Sequence, residues 1–228
     1  MKKRSLIFLI IICNFLFLGL DTPTQELYSL FEKFQPSYAV IHDYTARLEK
    51  RELVKGKWQE EVLEFAFKKP FQIKIKWLSG PKKGRRILFV EGANQNKLFV
   101  KVGGTFGGLV PTLKLDPNGN LASDDAGHTI REAGLGYMAE EIWKVTRQAY
   151  ERGNLSLKSL ETHDPGVLKI ERRISGMNLL VVTIDRGLGI PVSAERFDSE
   201  DRLFASYFYK VVRVNQGLSD DEFGPNHL

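Results

Sequence analysis

The 228 residues are enough for one well-buried domain, and 33 Lys and Arg against 28 Asp and Glu give a net charge of +5. Residues 1–20 hold three of the basic residues and no acidic residue, which leaves 30 against 28, or +2, for the rest. A nucleic-acid partner is therefore not expected. The only cysteine is Cys13, so the chain beyond it can form neither an intrachain disulfide nor a Cys-ligated metal site.

The N-terminus has the pattern of an export signal. Lys2, Lys3 and Arg4 precede an apolar run that reaches Leu20 without a charge, which predicts a signal peptide over residues 1–20. No small-x-small site ends this run, so an uncleaved inner-membrane anchor stays open as the alternative. Lipidation at Cys13 is disfavoured because no small residue precedes it. We expect a periplasmic or cell-envelope protein.

Residues 21–228 are predicted to form one domain. Leu27, Leu30, Phe31 and Phe34 lie at helical spacing and predict a helix over 25–35 that ends at Pro36. The period then changes to two, which is typical of strands with one dry face and one wet face. The strands predicted in this half of the chain cover 38–53, 58–68, 71–77, 86–91, 97–102 and 109–115.

A second helix and a second set of strands follow. The helix is predicted over 130–152, with a break near residues 134–136. The glycine-rich stretch 103–108 lacks the Gly-Lys-Ser/Thr ending of a phosphate loop and is expected to be a flexible turn. Four more strands are predicted at 167–174, 178–184, 192–198 and 203–215. The fold class is therefore mainly β (α+β), a strongly curved antiparallel sheet or half-open β-barrel with covering α-helices.

Three motifs occur in order along this pattern. They are residues 69–77 (KPFQIKIKW), residues 86–92 (RILFVEG) and the closing segment 212–223 (VRVNQGLSDDEF). With the helix near 26–34 and the long hairpin 38–67, they resemble the periplasmic lipoprotein carrier LolA and its relative LolB. An uncharacterised bacterial family that shares this fold is a still closer match. The resemblance implies an unclosed barrel whose apolar cavity holds acyl chains, and it implies no catalysis. The middle of the chain, 116–153, is longer and more polar than in the carriers.

The candidate ligand site is the apolar face of the central strands. Its alternating residues can line a cavity for an acyl chain, but the same alternation is found in an ordinary filled core. The candidate residues are Leu63, Phe65, Phe67, Phe71, Ile73, Ile75, Trp77, Leu98, Val100, Tyr207 and Tyr209.

A basic cluster is the candidate surface for anionic headgroups. Lys82, Lys83, Arg85 and Arg86 fall within five residues, where they could meet phospholipid or form a solvated turn.

A polar cluster near residue 128 is the remaining candidate. Asp124, His128 and Glu132 could hold a metal or act in acid–base chemistry if the segment were helical, but Gly127 favours a polar loop. No hydrolase motif accompanies it. We therefore expect no metal, no cofactor and no enzyme activity, and a hydrolase at His128 is the least favoured hypothesis.

The sequence thus favours a monomeric, non-catalytic envelope protein. Its expected partner is a lipid or the acyl chain of a lipoprotein, with the membrane surface as a second contact and no nucleic acid. The alternative is an envelope scaffold or stress-sensor-type interaction protein with a filled core.

Overall fold

A computed structural model describes residues 22–104, 109–124 and 127–228. The predicted signal, 1–20, lies outside the described residues, as does most of the glycine-rich turn. Three α-helices are α1 (Thr22–Glu32), α2 (Phe34–Ala39) and α3 (Leu135–Glu151). The strands are β1 (Asp43–Val54), β2 (Lys57–Lys68), β3 (Gln72–Trp77), β4 (Arg86–Val90), β5 (Leu98–Lys101), β6 (Leu113–Leu115), β7 (Leu155–Leu160), β8 (Val167–Ile174), β9 (Leu180–Asp185), β10 (Ile190–Phe197) and β11 (Leu203–Val214).

All eleven strands belong to one antiparallel sheet. Their order is β6-β5-β4-β3-β2-β1-β11-β10-β9-β8-β7, so the first and last strands of the chain's β region, β1 and β11, pair at the centre. The two edge strands β6 and β7 do not pair with each other, and the sheet stays unclosed. The predicted fold class, a curved antiparallel sheet with covering helices, is confirmed.

The β1–β2 hairpin shows how the sequence sets the register. Lys55 and Gly56 both adopt positive φ, 50° and 76°, which a two-residue turn of the hairpin type requires. Leu48 then faces Leu63, and Leu63 faces Trp77 on β3. Because directly opposed residues share a face, these side chains form one apolar row on the concave side.

Helices cover the concave side. α3 packs against β10 and β7, and its buried residues Ile142, Thr146 and Ala149 face the sheet. α1 lies on β7 and joins α3 through Tyr28, whose ring stacks on Tyr150 at 3.7 Å between centroids. This helical layer closes one half of the concave face. No helix among residues 22–104, 109–124 and 127–228 is long and apolar enough to cross a membrane.

The C-terminal segment covers part of the convex side. Phe223 is 2% exposed and packs against Leu88 and Phe99, which point away from the concave face. Lys74 Nζ donates to the carbonyl oxygen of Glu222 at 2.9 Å and ties the segment to β3.

Three details of the sequence-based prediction were wrong. Residues 34–39 form α2, so β1 begins at Asp43 instead of residue 38. The helix predicted over 130–152 is broken at Gly134, whose φ of 102° is not helical, as expected near residues 134–136, but its first part, Ile130–Glu132, is one 3₁₀ turn instead of α-helix. The strand β7 was missed because it has only six residues, too few for a clear alternation, and lies between a helix and a polar turn.

Candidate functional site

A cavity of about 700 Å³ lies between the concave face of the sheet and α3. Strands from both halves of the sheet line it, from β5 and β6 at one side to β8 and β9 at the other. On the helix side it is bounded by Met138, Ile142 and Val145. The interior of the half-barrel is therefore not completely filled by the protein's own side chains.

Most of the predicted apolar residues surround this cavity. Those that line it are Leu63, Phe65, Ile75, Trp77, Leu98, Val100, Tyr207 and Tyr209. Three others do not. Ile73 faces the same side of β3 as Ile75 but is fully buried in the core, and Phe67 and Phe71 line a second cavity of about 430 Å³ below α2. Ala133 and Tyr137 border both cavities and separate them.

Two of the four predicted basic residues reach the cavity. Lys82 and Arg85, on the turn between β3 and β4, line it, whereas Lys83 and Arg86 are exposed and point elsewhere. The guanidinium of Arg85 also lies 6.0 Å from the ring centre of Trp77. The basic cluster therefore divides into two residues at the cavity and two on the outer surface.

The rim of the cavity is apolar. Leu121 is 85% exposed, Met177 56% and Leu113 41%, and all three line the cavity. Large apolar side chains with this exposure around an opening are typical of an interaction site.

A charged network lies in the same wall. Lys50 Nζ is 2.8 Å from Glu52 Oε2 and 2.6 Å from Asp124 Oδ2. The hydroxyl of Tyr207 donates to Glu52, and His128 Nδ1 lies 3.4 Å from Asp124 Oδ2. The sequence pointed to Asp124 and His128 but missed Lys50 and Glu52, because these come from β1, more than seventy residues earlier.

Electrostatics hold this network in its charged form. Burial would raise the pKa of Asp124, but hydrogen bonds from His128 and Lys50 outweigh burial and keep the pKa well below its usual value. The hydrogen bond to Asp124 raises the pKa of His128. Burial would lower the pKa of Lys50, and its bonds to Asp124 and Glu52 raise the pKa instead.

The network has the residue types of a metal site, but its geometry favours an internal ion pair. Glu52, Asp124 and His128 offer ligand atoms within 4.8 Å of one another. The ammonium of Lys50 already bonds both carboxylates, so a cation of the protein occupies the position between them. Glu132, the third predicted member, instead accepts the backbone N–H of Thr129 at 2.6 Å as part of a capping box. Neither Asp124 nor His128 lies in a helix.

An unclosed, curved antiparallel sheet with a helix across its concave face and an apolar cavity beneath it defines an open half-barrel protein. The chain belongs to the family described as "Protein of unknown function (DUF1571)", whose profile matches residues 41–227.

Three solved structures are similar to this chain at low sequence identity. The lipoprotein LppX of Mycobacterium tuberculosis is 12% identical with a TM-score of 0.50, over 87% of this chain and 99% of that chain. The LolA superfamily protein NE2245 of Nitrosomonas europaea is 11% identical with a TM-score of 0.38, over 90% and 99%. A chain of the Pseudomonas aeruginosa MucA/MucB complex is 10% identical with a TM-score of 0.42, over 87% and 60%. A search of curated proteins found no match.

LppX, with a TM-score of 0.50, shares the curved, unclosed sheet that the resemblance implied, so the expectation is confirmed for the fold. A structural likeness at 12% sequence identity shows the fold alone. The function therefore has to be argued from the cavity.

Proposed function

We propose that this protein is exported to the cell envelope and binds the acyl chain of a lipid or lipoprotein in the large cavity, without catalysing a reaction. The observation that carries the proposal is the cavity of about 700 Å³, whose walls are built from the alternating apolar residues of the central strands. Ligand pockets in proteins have volumes of about 300–1,000 Å³, so this one has room for a hydrocarbon chain.

Hydrocarbon burial supplies the driving force. Each methylene group moved from water into the cavity contributes about 0.8 kcal/mol. The residues proposed to contact the chain are the eight predicted ones that line the cavity. Phe67 and Phe71 line the neighbouring cavity, and Ile73 is buried in the same apolar cluster as the wall residues.

The residues at the rim of the cavity favour a ligand that comes from a membrane. Leu113, Leu121 and Met177 present apolar side chains around the opening, and Lys82 and Arg85 also line the cavity. Near an anionic bilayer each basic side chain contributes about 1 kcal/mol of attraction. The same pair therefore brings the opening to the lipid surface, and Lys83 and Arg86 add to the attraction from outside.

The charged network supports a structural role. A general base or a metal site needs oxygen atoms that are not already engaged. The two carboxylates around Lys50 both bond to its ammonium, and they are also hydrogen-bonded by Tyr207 and His128. Reaction chemistry at His128 is for this reason not part of the proposal.

The alternative is an envelope scaffold or sensor that binds a protein. The edge strands β6 and β7 could accept another strand. The scaffold alternative assumes a filled core, however, and a cavity of about 700 Å³ argues against a filled core.

The test begins with the full chain expressed in its exported form and purified without detergent. Lipid extraction and mass spectrometry should identify a co-purifying acyl compound, and the delipidated protein should bind a fluorescent fatty acid. Val145→Trp places an indole from α3 into the cavity and should weaken dye binding about tenfold or more. Gln148→Trp adds the same ring to the exposed side of that helix and should leave binding unchanged.

A protein that carries no lipid and binds no acyl dye would refute the proposal. Equal binding by Val145→Trp and the wild type would also contradict it, because the dye would then occupy another site. A folded-state check by circular dichroism separates loss of binding from loss of structure.

A further inference from the structure

Two arginines lie in one row across the far side of the cavity. Arg172 on β8 and Arg196 on β10 are both register partners of Leu180 on β9, so all three side chains share the concave face. Arg172, Leu180 and Arg196 also line the cavity. This row is separated from Lys82 and Arg85 by the central strands β2, β1 and β11.

Arg172 is deeply buried. Its residue is 7% exposed, and one guanidinium nitrogen donates to the carbonyl oxygen of Ile142 at 3.3 Å and to Thr146 Oγ1 at 3.0 Å. Both acceptors are neutral groups on α3. The Nε of Arg172 is buried and has no hydrogen-bond partner. A donor left in this state has lost its water and gained no replacement.

Neither arginine is neutralised within the described part of the chain. Arg172 and Arg196 form no ion pair there, whereas Lys50 in the same cavity contacts two carboxylates. Glu52 lies in the same row as Arg196 but two strands away, at about 10 Å by strand spacing, and already pairs with Lys50. Glu141 on α3 lines the cavity, and its ion pair is with Lys144 at 3.6 Å.

The two arginine charges repel each other, and neither forms an ion pair with an acid in the described part of the chain. Burial, with a further contribution from Arg196, lowers the pKa of Arg172 to about 10, so the group is still protonated at neutral pH. A buried cation normally has a partner of opposite charge, since desolvation without one is costly. The structure thus leaves a place where an anion from outside the chain would be stabilised.

We propose that Arg172 and Arg196 bind the anionic group of an amphiphile whose hydrocarbon chain occupies the cavity. The ligand class is an anionic lipid with a carboxylate or phosphate head, because a guanidinium can donate to two oxygen atoms of either group. This inference rests on the proposed function and specifies its ligand. The chain then extends from β8 and β10 toward Trp77 and Leu98 at the other side of the cavity.

The test compares acyl ligands with and without a negatively charged head. The delipidated protein is titrated with oleate, methyl oleate and dioleoyl phosphatidate by displacement of a fluorescent acyl dye. We expect the wild type to bind an anionic ligand about tenfold or more tighter than the neutral ester. The ligand with the larger preference, oleate or phosphatidate, identifies the carboxylate or phosphate head.

Four variants locate the preference. Arg172→Gln and Arg196→Gln should each reduce the affinity for the anionic ligand and leave that for methyl oleate nearly unchanged. Thr146→Ala removes a hydrogen bond between Arg172 and α3 but keeps the charge, so the preference should persist. Arg213→Gln removes an exposed charge of β11 outside the cavity and should have no effect.

The outcomes separate this inference from the proposed function. Equal affinity of the wild type for oleate, phosphatidate and methyl oleate would overturn the arginine site and leave the acyl-chain cavity intact. A preference that survives both arginine substitutions would overturn it as well. Failure of all three ligands to bind would refute the proposed function itself. If Arg172→Gln does not fold, the exposed Arg196 still provides the decisive variant.

Discussion

The backbone N–H of Leu135 donates a hydrogen bond of 2.9 Å to the phenolic oxygen of Tyr44. Leu135 is the first residue of α3, and Tyr44 is a fully buried residue of β1. The bond satisfies one of the N–H groups that the first turn of a helix leaves without a partner. It therefore fixes the start of the helix that covers the cavity to the centre of the sheet.

Removal of this hydroxyl should destabilise the protein. Tyr44→Phe leaves the N–H of Leu135 buried without an acceptor, and the free energy of unfolding should fall by about 1–3 kcal/mol. Urea unfolding followed by circular dichroism measures the change. Tyr150→Phe is the control, because that ring stacks on Tyr28 and its hydroxyl has no hydrogen bond in the described structure. Equal stability of Tyr44→Phe and the wild type would contradict the anchoring role.

The sequence predicts the strands well where their alternation is long. Residues 71–77 have regular alternation, and Ile73, Ile75 and Trp77 are buried as expected. The cavity walls follow from the same pattern, since a strand's period of two decides which side chains face inward. The pattern cannot show whether the inward space is filled, because that depends on where α3 lies above the sheet.

Contacts between distant segments are the part that the sequence hides. Lys50 and Glu52 look like solvent-facing charges on an alternating strand, and only the fold brings Asp124 to them. Arg172 likewise looks like one of several charges in β8. Its burial is caused by α3, which packs over that strand through Ile142 and Thr146.

Trp77 should report a chain that enters the cavity. It lines the large cavity, whereas Trp143 lies on α3 beside Tyr28, outside the cavity wall. In a variant that keeps only Trp77, with Trp58 and Trp143 replaced by Phe, a brominated stearate should strongly quench the fluorescence. The matched variant that keeps only Trp143 should be quenched little. Equal quenching of both would show that the ligand does not occupy this cavity.

Lys50 should be far more important to stability than its neighbour Arg51. The side chains of Lys50 and Glu52 are only 12% and 8% exposed, so Lys50→Met leaves buried negative charge and should cost about 3–5 kcal/mol. Arg51→Met is the control, since its pair with Glu60 is 44% and 71% exposed and contributes below about 1 kcal/mol. Chemical unfolding of both variants measures the difference, and similar losses would contradict the internal ion pair.

His128 should make stability depend on pH. Its pKa is raised in the folded state above the ordinary 6.5, so its stabilising charge is fully present below pH 6.5 and lost as pH rises through the folded pKa. The unfolding free-energy difference between wild type and His128→Gln should therefore be largest near pH 5–6 and small near pH 9. Because the ring is 40% exposed, the effect should stay below about 1 kcal/mol.

The partner of His128 supplies the control for this pH dependence. In an Asp124→Asn background the main cause of the raised pKa of His128 is gone. His128→Gln should then change the free energy of unfolding by an amount that depends little on pH. A pH profile that is the same in both backgrounds would mean that another group titrates.

Phe223 should hold the C-terminal segment against the convex face. Its ring is 2% exposed between Leu88 and Phe99, and large buried aromatic residues cost about 3–5 kcal/mol when reduced to Ala. Phe223→Ala should therefore lower stability and also release the segment after Gly217 to a protease. The half-exposed His227 provides the control, and His227→Ala should do neither. If Phe223→Ala is cleaved no faster than the wild type and unfolds at the same urea concentration, the segment is held by the bonds of Lys74 and Lys68 instead of by this ring.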